Sequence, residues 1–183
     1  MQNGEFYYRE YINGNDRAFE EIVKSYYDGL VFFINRYVRS LSDAEDVANE
    51  CFVYIAIHKK KFNFKTSLKT YLYTIGRSRA LNFLRKNKRK EQVNLDDYAN
   101  VLSCDTMLED EFYKKEKYKI LYNAISSLPN DMQNVVYLYY FENMSYEEIA
   151  KVTSKKFKQV DNMLYRAKKA LKTILDKKEF PDE

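Results

Sequence analysis

His58 is the only histidine among 183 residues, and the only two cysteines are Cys51 and Cys104. On a helix Cys51 and His58 would stand about two turns apart, roughly 10 Å by helix rise. That is beyond the hydrogen-bond reach a thiol–imidazole nucleophile pair requires. No Cys/His run has zinc-ligand spacing, and Gly4, Gly14, Gly29 and Gly76 are too scattered to form a phosphate-cradling loop. A two-metal nuclease would cluster carboxylates within a basic surface. The basic segment 51–90 holds twelve bases and no acid. The expectation is therefore no catalytic residue, no metal site, no cofactor and no enzyme.

What the side chains do offer is cationic recognition chemistry, in two places. Segment 51–90 interleaves Lys59, Lys60, Lys61, Lys65, Lys69, Arg77, Arg79 and Arg85 with Phe62, Phe64, Tyr71, Tyr73 and Phe83. Rings can stack on unpaired bases while cations follow the backbone of a single strand. Near the other end, Lys155, Lys156, Lys158, Gln159, Asn162, Tyr165, Arg166 and Lys169 fall on one side of a helical pattern. There amides and guanidinium groups could meet base edges and lysines could meet phosphates. A solvated basic face on a packed helix is the plainer alternative for both segments.

The elements that must position these residues are helical. Hydrophobic residues make up 45% of the chain and charged residues 32%, with only four Gly and two Pro, too few for many strands and turns. One helix is predicted after Gly14-Asn15-Asp16, carrying Phe19, Ile22, Val23 and Tyr26 at helical spacing. Ser42-Asp43-Ala44-Glu45 reads as a capping box opening a second, with Ala44, Val47, Ala48, Cys51, Tyr54, Ile55 and His58 inward and Asp46, Asn49 and Glu50 outward. A third starts near Thr66 or Ser67, runs through Leu68, Tyr71, Leu72, Ile75, Ala80, Phe83 and Leu84, and ends in a basic run. From 91 to 113 periodicity fades and seven acids occur without a base, which reads as a linker. Helical spacing returns from Ile120, breaks at Pro129, resumes through Leu138, and is followed by a capping box at Ser145-Tyr146-Glu147-Glu148. The last helix places Phe157, Val160, Leu164, Ala167 and Leu171 inward. A short capped helix, a turn and a longer basic helix make a helix-turn-helix.

The charge is segregated more than its total of +4 suggests: two basic blocks, 51–90 and 151–183, flank an acidic 91–150 with twelve acids and four bases. No leader pattern opens the chain, and its longest apolar run, Val135 to Phe141, is far short of the roughly 20 residues a membrane span needs. A cytoplasmic protein with reduced thiols and no membrane partner is expected.

With these residues in view, the chain resembles the extracytoplasmic-function class of bacterial sigma factors. Asp43-Ala44-Glu45-Asp46-Val47-Ala48-Asn49-Glu50-Cys51-Phe52 is similar to that family's region 2.2, and Ser67 through Lys86 to its regions 2.3 and 2.4. Leu128-Pro129, Tyr139 through Ala150, and Leu164 through Leu171 resemble region 4. The resemblance implies an all-α chain of two small helical domains, region 2 over 1–90 and region 4 over 114–178, joined by a flexible acidic linker over 91–113. It implies core polymerase binding through Asp46, Asn49 and Glu50 on the β′ clamp helices, with the β flap as a further contact. It implies −10 promoter contacts from Lys65, Lys69, Tyr71, Arg77, Arg79, Asn82, Arg85 and Lys86. It implies −35 contacts from Lys156, Lys158, Gln159, Asn162, Tyr165, Arg166 and Lys169, and an anti-sigma factor as a further partner.

Two departures stand out. Tyr71 occupies a position where the family usually has Trp, and the helix-turn-helix turn reads Thr153-Ser154-Lys155 where Leu-Gly-Ile is common. The alternative reading is a stand-alone helix-turn-helix regulator, which would need dimer symmetry for affinity; no dimerisation seam is visible. A nucleic-acid-processing enzyme is disfavoured by the missing carboxylate cluster.

Overall fold

The computed structural model describes residues 4–91, 120–121 and 123–176. Among them the regular elements are helices, and no strand occurs: α1 (Gly4–Ile12), α2 (Asp16–Val38), α3 (Leu41–Ile57), a short 3-10 turn (Lys59–Lys61), α4 (Leu68–Glu91), α5 (Asn130–Tyr140), α6 (Tyr146–Thr153) and α7 (Phe157–Asp176). Residues 120–121 and 123–126 are also helical. Apart from Glu91, the segment read as an acidic linker lies outside the described residues, as does Cys104.

Helix α1 is not foreshadowed by the apolar spacing, because aromatic residues at 6, 7, 8 and 11 surround it on several sides. Its role is to close the first half. The fully buried Tyr8 donates its hydroxyl to the Ile55 carbonyl (3.0 Å), an acceptor that the end of α3 leaves open, or to the Lys59 carbonyl of the following turn (3.2 Å). Its ring packs edge-on to Phe62 at 5.4 Å, and burial pushes its hydroxyl pKa up to about 12. Glu5 accepts the Leu68 amide at the start of α4. One short helix thereby ties the end of α3 to the beginning of α4.

Helices α2, α3 and α4 form the core around Ile22, Leu30, Phe33, Ile34, Ile55, Leu68, Leu72 and Tyr73, all fully buried. The stripe predicted for α3 is largely right: Ala44, Val47, Ala48, Cys51 and Ile55 are buried, with Phe52 added and Tyr54 and His58 half-buried. Its predicted start is two residues late. Arg39 leaves α2 in the left-handed region (φ 59°) and Ser40 is extended, so the chain re-enters the helix at Leu41 and Ser40, not Ser42, accepts the Asp43 amide at 3.4 Å. The turn from α2, a tertiary constraint, decides between two equally suitable serines. Of the two starts offered for α4, Ser67 is the one that caps it, since its hydroxyl accepts the Thr70 amide at 3.1 Å.

The second half is built from α5, α6 and α7 around Val135, Leu138, Ile149, Val160, Leu164 and Ala167. Pro129 stands just before α5, where its missing amide donor costs nothing. The capping box of α6 forms as predicted: the Ser145 hydroxyl accepts the Glu148 amide, and the Glu148 carboxylate accepts the Ser145 amide.

Gly76 sets the crossing of α4 over α2. A Cβ at this position would stand 2.8 Å from Cδ1 of the fully buried Leu30 and 3.5 Å from Ile34. Gly76→Val should therefore overpack the core and cost about 1–3 kcal/mol, read as a lower urea midpoint with an unchanged slope. An unaltered midpoint would show that the close crossing is not limiting.

Candidate nucleic-acid interface

The turn between α6 and α7 is tight and well bonded. Ser154 adopts the left-handed conformation (φ 55°, ψ 39°), and the Lys155 amide reaches back to the Ala150 carbonyl at 2.9 Å. A side chain costs roughly 1 kcal/mol or more in this region relative to glycine, which accounts for glycine being the common choice there. Serine holds the same geometry here. Lys155 bonds Asp131 at 2.8 Å, fixing the turn to the start of α5.

Beyond the turn, Lys156 just ahead of α7 and Lys158, Gln159, Asn162, Tyr165, Arg166 and Lys169 on it are all exposed. The sequence places them on one face, and the structure leaves that face open along its length. Tyr165, 67% exposed, presents a ring in the middle of it. Gln159 is partly committed, because its side-chain oxygen accepts the Lys156 amide at 2.8 Å and caps α7. Phe157, predicted to face inward, is 50% exposed instead and only flanks Tyr146 at 5.6 Å. It stands ahead of the first full turn, where Val160 and Leu164 already fill the seam against α6.

On α4 and the loop before it, Lys65, Asn82, Arg85 and Lys86 are exposed, while Lys69, Tyr71, Arg77 and Arg79 are half-buried. Two aromatics offered for base stacking are instead core: Phe62 is 3% exposed and Tyr73 is fully buried. Phe62 is pinned between Tyr8 and Tyr71, whose ring lies 5.1 Å from it, and Tyr73 lies 5.2 Å from Phe33. The interleaving of rings and cations in the sequence is thus mainly a core stripe alternating with a charged one. Asn82 is engaged by Arg85 at 2.7 Å.

The outward face of α3 carries Asp46, Asn49 and Glu50, all exposed. Glu50 pairs with Arg79 at 2.6 Å, which links this face to the cationic face of α4. A groove of about 310 Å³ lies between the two helices, lined by Glu50, Arg79, Asn82, Phe83 and Arg85 with Val47 and Lys86 at its sides. Val53 (56% exposed) and Ile57 (71%) extend the α3 face with apolar surface. They follow Glu50 at helical spacing, so the signal is present in the sequence.

A network between the two halves had no counterpart in the sequence reading. Glu148, besides capping α6, accepts the hydroxyls of Ser67 (2.7 Å) and Thr70 (2.9 Å) at the start of α4. Lys69 binds the Glu142 carboxylate at 2.7 Å and its carbonyl at 2.8 Å. The Tyr137 hydroxyl donates to the Gly29 carbonyl (3.1 Å) or the Glu142 carboxylate (2.7 Å), and Arg77 donates to Ser154 at 3.2 Å. Arg36 donates to Asn134 and Gln133.

The remaining chemistry is quiet. Burial pushes the Cys51 thiol up to about 12, so it stays protonated and unreactive at neutral pH. Among the described residues no group of three His, Cys, Asp or Glu could hold a metal ion, and no helix is long and apolar enough to cross a membrane.

Comparison with known proteins places the chain in context. Residues 22–90 match the model of Sigma-70 region 2, and residues 118–171 match Sigma-70, region 4. The chain is 27% identical over 167 residues to the ECF RNA polymerase sigma-E factor of Haemophilus influenzae, covering 86% of this chain and 87% of that protein. It is 29% identical over 171 residues to the RNA polymerase sigma-H factor of Pseudomonas aeruginosa, covering 88% of each. Among solved structures, CnrH in complex with the cytosolic domain of CnrY shares its fold with a TM-score of 0.64 at 18% identity, over 94% of this chain and 97% of that one. The sigma factor RpoE from Bartonella quintana, solved with the anti-sigma factor NepR, gives 0.63 at 20% identity, over 86% and 96%.

Glu148 makes the junction sensitive to acid. Burial raises its carboxyl pKa, but the donors Ser67, Ser145 and Thr70 outweigh that and hold it below its ordinary value of 4.5. A depressed folded-state pKa contributes stability above the unfolded value and loses it as pH falls through the folded one. The stability advantage of the wild type over Glu148→Gln should be full at pH 6–7 and should shrink below about pH 4.5. A difference independent of pH from 7 to 3 would show that the charge of Glu148 is not what these donors hold.

Proposed function

The chain belongs to the sigma-70 family, carrying its region 2 followed by its region 4, and from that premise we propose that it is an extracytoplasmic-function sigma factor directing bacterial core RNA polymerase to promoters. The observation that carries this reading is the pairing of two cationic helical faces in one chain, α4 within the region 2 match and α7 within the region 4 match. The working division is region 2 over 1–90, a linker over 91–113 and region 4 over 114–178.

In this reading the α3 face with Asp46, Asn49 and Glu50 docks on the β′ clamp helices, and Val53 and Ile57 add apolar area beside it. Lys65, Lys69, Tyr71, Arg77, Arg79, Asn82, Arg85 and Lys86 hold the opened −10 element. Phosphates supply most of the affinity for such a surface, so the grip should fall steeply with salt. The α7 face enters the major groove at −35, where Asn162 and Arg166 are the side chains of the right type and exposure to read base edges. The region 4 half also meets the β flap. An anti-sigma factor is the expected regulator, and the site of action is the cytoplasm.

Reconstituted transcription is the direct test: the purified chain with bacterial core polymerase should initiate at discrete start sites on a genomic library, and the core alone should not. Asp46→Lys should weaken core binding about tenfold or more, some 1.4 kcal/mol, with helicity unchanged. Glu50→Lys should do the same while also releasing Arg79. Undiminished binding by both would remove α3 from the docking face. Asn162→Ala or Arg166→Ala should change preference at single −35 positions by about 1–3 kcal/mol; equal loss on every sequence would limit these side chains to phosphate contacts.

A further inference from the structure

Alone among the α7 residues read as inward, Phe157 is exposed, at 50%. It opens the helix and rests its ring beside Tyr146 at 5.6 Å, while Val160 and Leu164 fill the seam. A phenyl ring left half in water keeps apolar area that contact with a partner can still cover. In a helix-turn-helix the first turn of the second helix is the part that reaches base edges. The neighbours of Phe157 fit that place. Lys156 and Lys158 are exposed cations suited to phosphates, whereas the exposed Asp161, four residues on and so on the same flank as the ring, would repel them. A base edge, not the backbone, is therefore what this flank accepts. The ring has no hydrogen-bonding group, and the apolar group that the major groove displays is the 5-methyl of thymine. We propose that Phe157 is a specificity-determining residue that reads a thymine methyl in the −35 duplex. This rests on the assignment of α7 as the duplex-reading helix.

The ring is held ready for such a contact. Tyr146, half-buried, lies 5.4 Å from Tyr139, and Tyr139 lies 4.8 Å from Tyr140, so Phe157 ends a row of rings that crosses from α5 over the start of α6. The Lys168 ammonium sits over the Tyr139 ring at 5.6 Å and ties that row to α7. A side chain positioned in advance gives up less freedom on binding, so more of its contact appears as affinity. Asn162 and Arg166, further along α7, can satisfy the donors and acceptors of bases; Phe157 can only cover the methyl. The two contributions are chemically separable, because uracil keeps every hydrogen-bonding group of thymine and lacks the methyl alone.

The test compares thymine with uracil, one position at a time. Duplexes bound by the full chain in complex with bacterial core polymerase, or by the full chain alone should that complex not form, are selected from a random library. Each thymine of the selected site is then replaced singly by uracil and the affinity measured. Losing one covered methyl should weaken wild-type binding about fourfold at one thymine position. Phe157→Ala should bind the thymine and uracil duplexes equally there, and Phe157→Leu, which keeps an apolar side chain, should restore part of the difference. Lys158→Ala should weaken binding to both duplexes and leave their ratio as in the wild type. A ratio unchanged by Phe157→Ala, a site with no methyl-sensitive thymine, or the absence of any selected site overturns the assignment. Failure to bind core polymerase counts against the sigma reading alone, since the ratio is then measured on the chain by itself.

Discussion

The carboxylate of Glu148 holds the beginnings of two helices at once. One oxygen accepts the Ser145 amide and completes the cap of α6; the other accepts the Ser67 and Thr70 hydroxyls at the cap of α4. The orientation of the helix-turn-helix relative to the first half depends on this shared acceptor, since a capping carboxylate fixes its own helix in direction and the far helix in distance. Lys69 with Glu142 and Tyr137 with the Gly29 carbonyl then close the junction around it.

A second constraint acts inside the first half. Helix α4 must present cations outward while crossing α2 closely, and the absence of a side chain at Gly76 allows the approach. Leu30 and Ile34 fill the space beside it. Tyr8, Phe62, Phe64 and Tyr71 make one continuous ring cluster beneath the loop that leads into α4. The loop carrying Lys65 is therefore supported by edge-on and tilted ring contacts, and Lys65 itself is exposed. A face so supported keeps its geometry without needing contact from a ligand, which lowers the ordering cost of binding.

The two cationic faces differ in how they are kept. On α7 the row from Lys156 to Lys169 is open, and Gln159 is its one member used in capping the helix. On α4 Arg79, Lys69 and Arg77 are engaged by Glu50, Glu142 and Ser154, while Arg85 and Lys86 stay exposed. One surface is open as folded, whereas the other is distributed in part among internal partners.

Local chemistry was legible in the sequence. The helical class, the inward stripes of α3 and α7 apart from Phe157, the Ser145–Glu148 capping box, the outward Asp46, Asn49 and Glu50, and the basic row on α7 all follow from spacing, because a helix of 3.6 residues per turn converts sequence distance directly into direction. The tertiary structure alone decided what depends on a second element. It decided that Ser40 and not Ser42 caps α3, that α1 exists and closes the α3–α4 corner, and that Phe62 and Tyr73 are core and not stacking platforms. It also decided that Glu142 and Glu148 reach across to α4. Apart from the Ser40 cap, which the turn out of α2 selects, these contacts join residues far apart in the chain, and a periodicity carries no information about which distant surface will arrive to meet a given face.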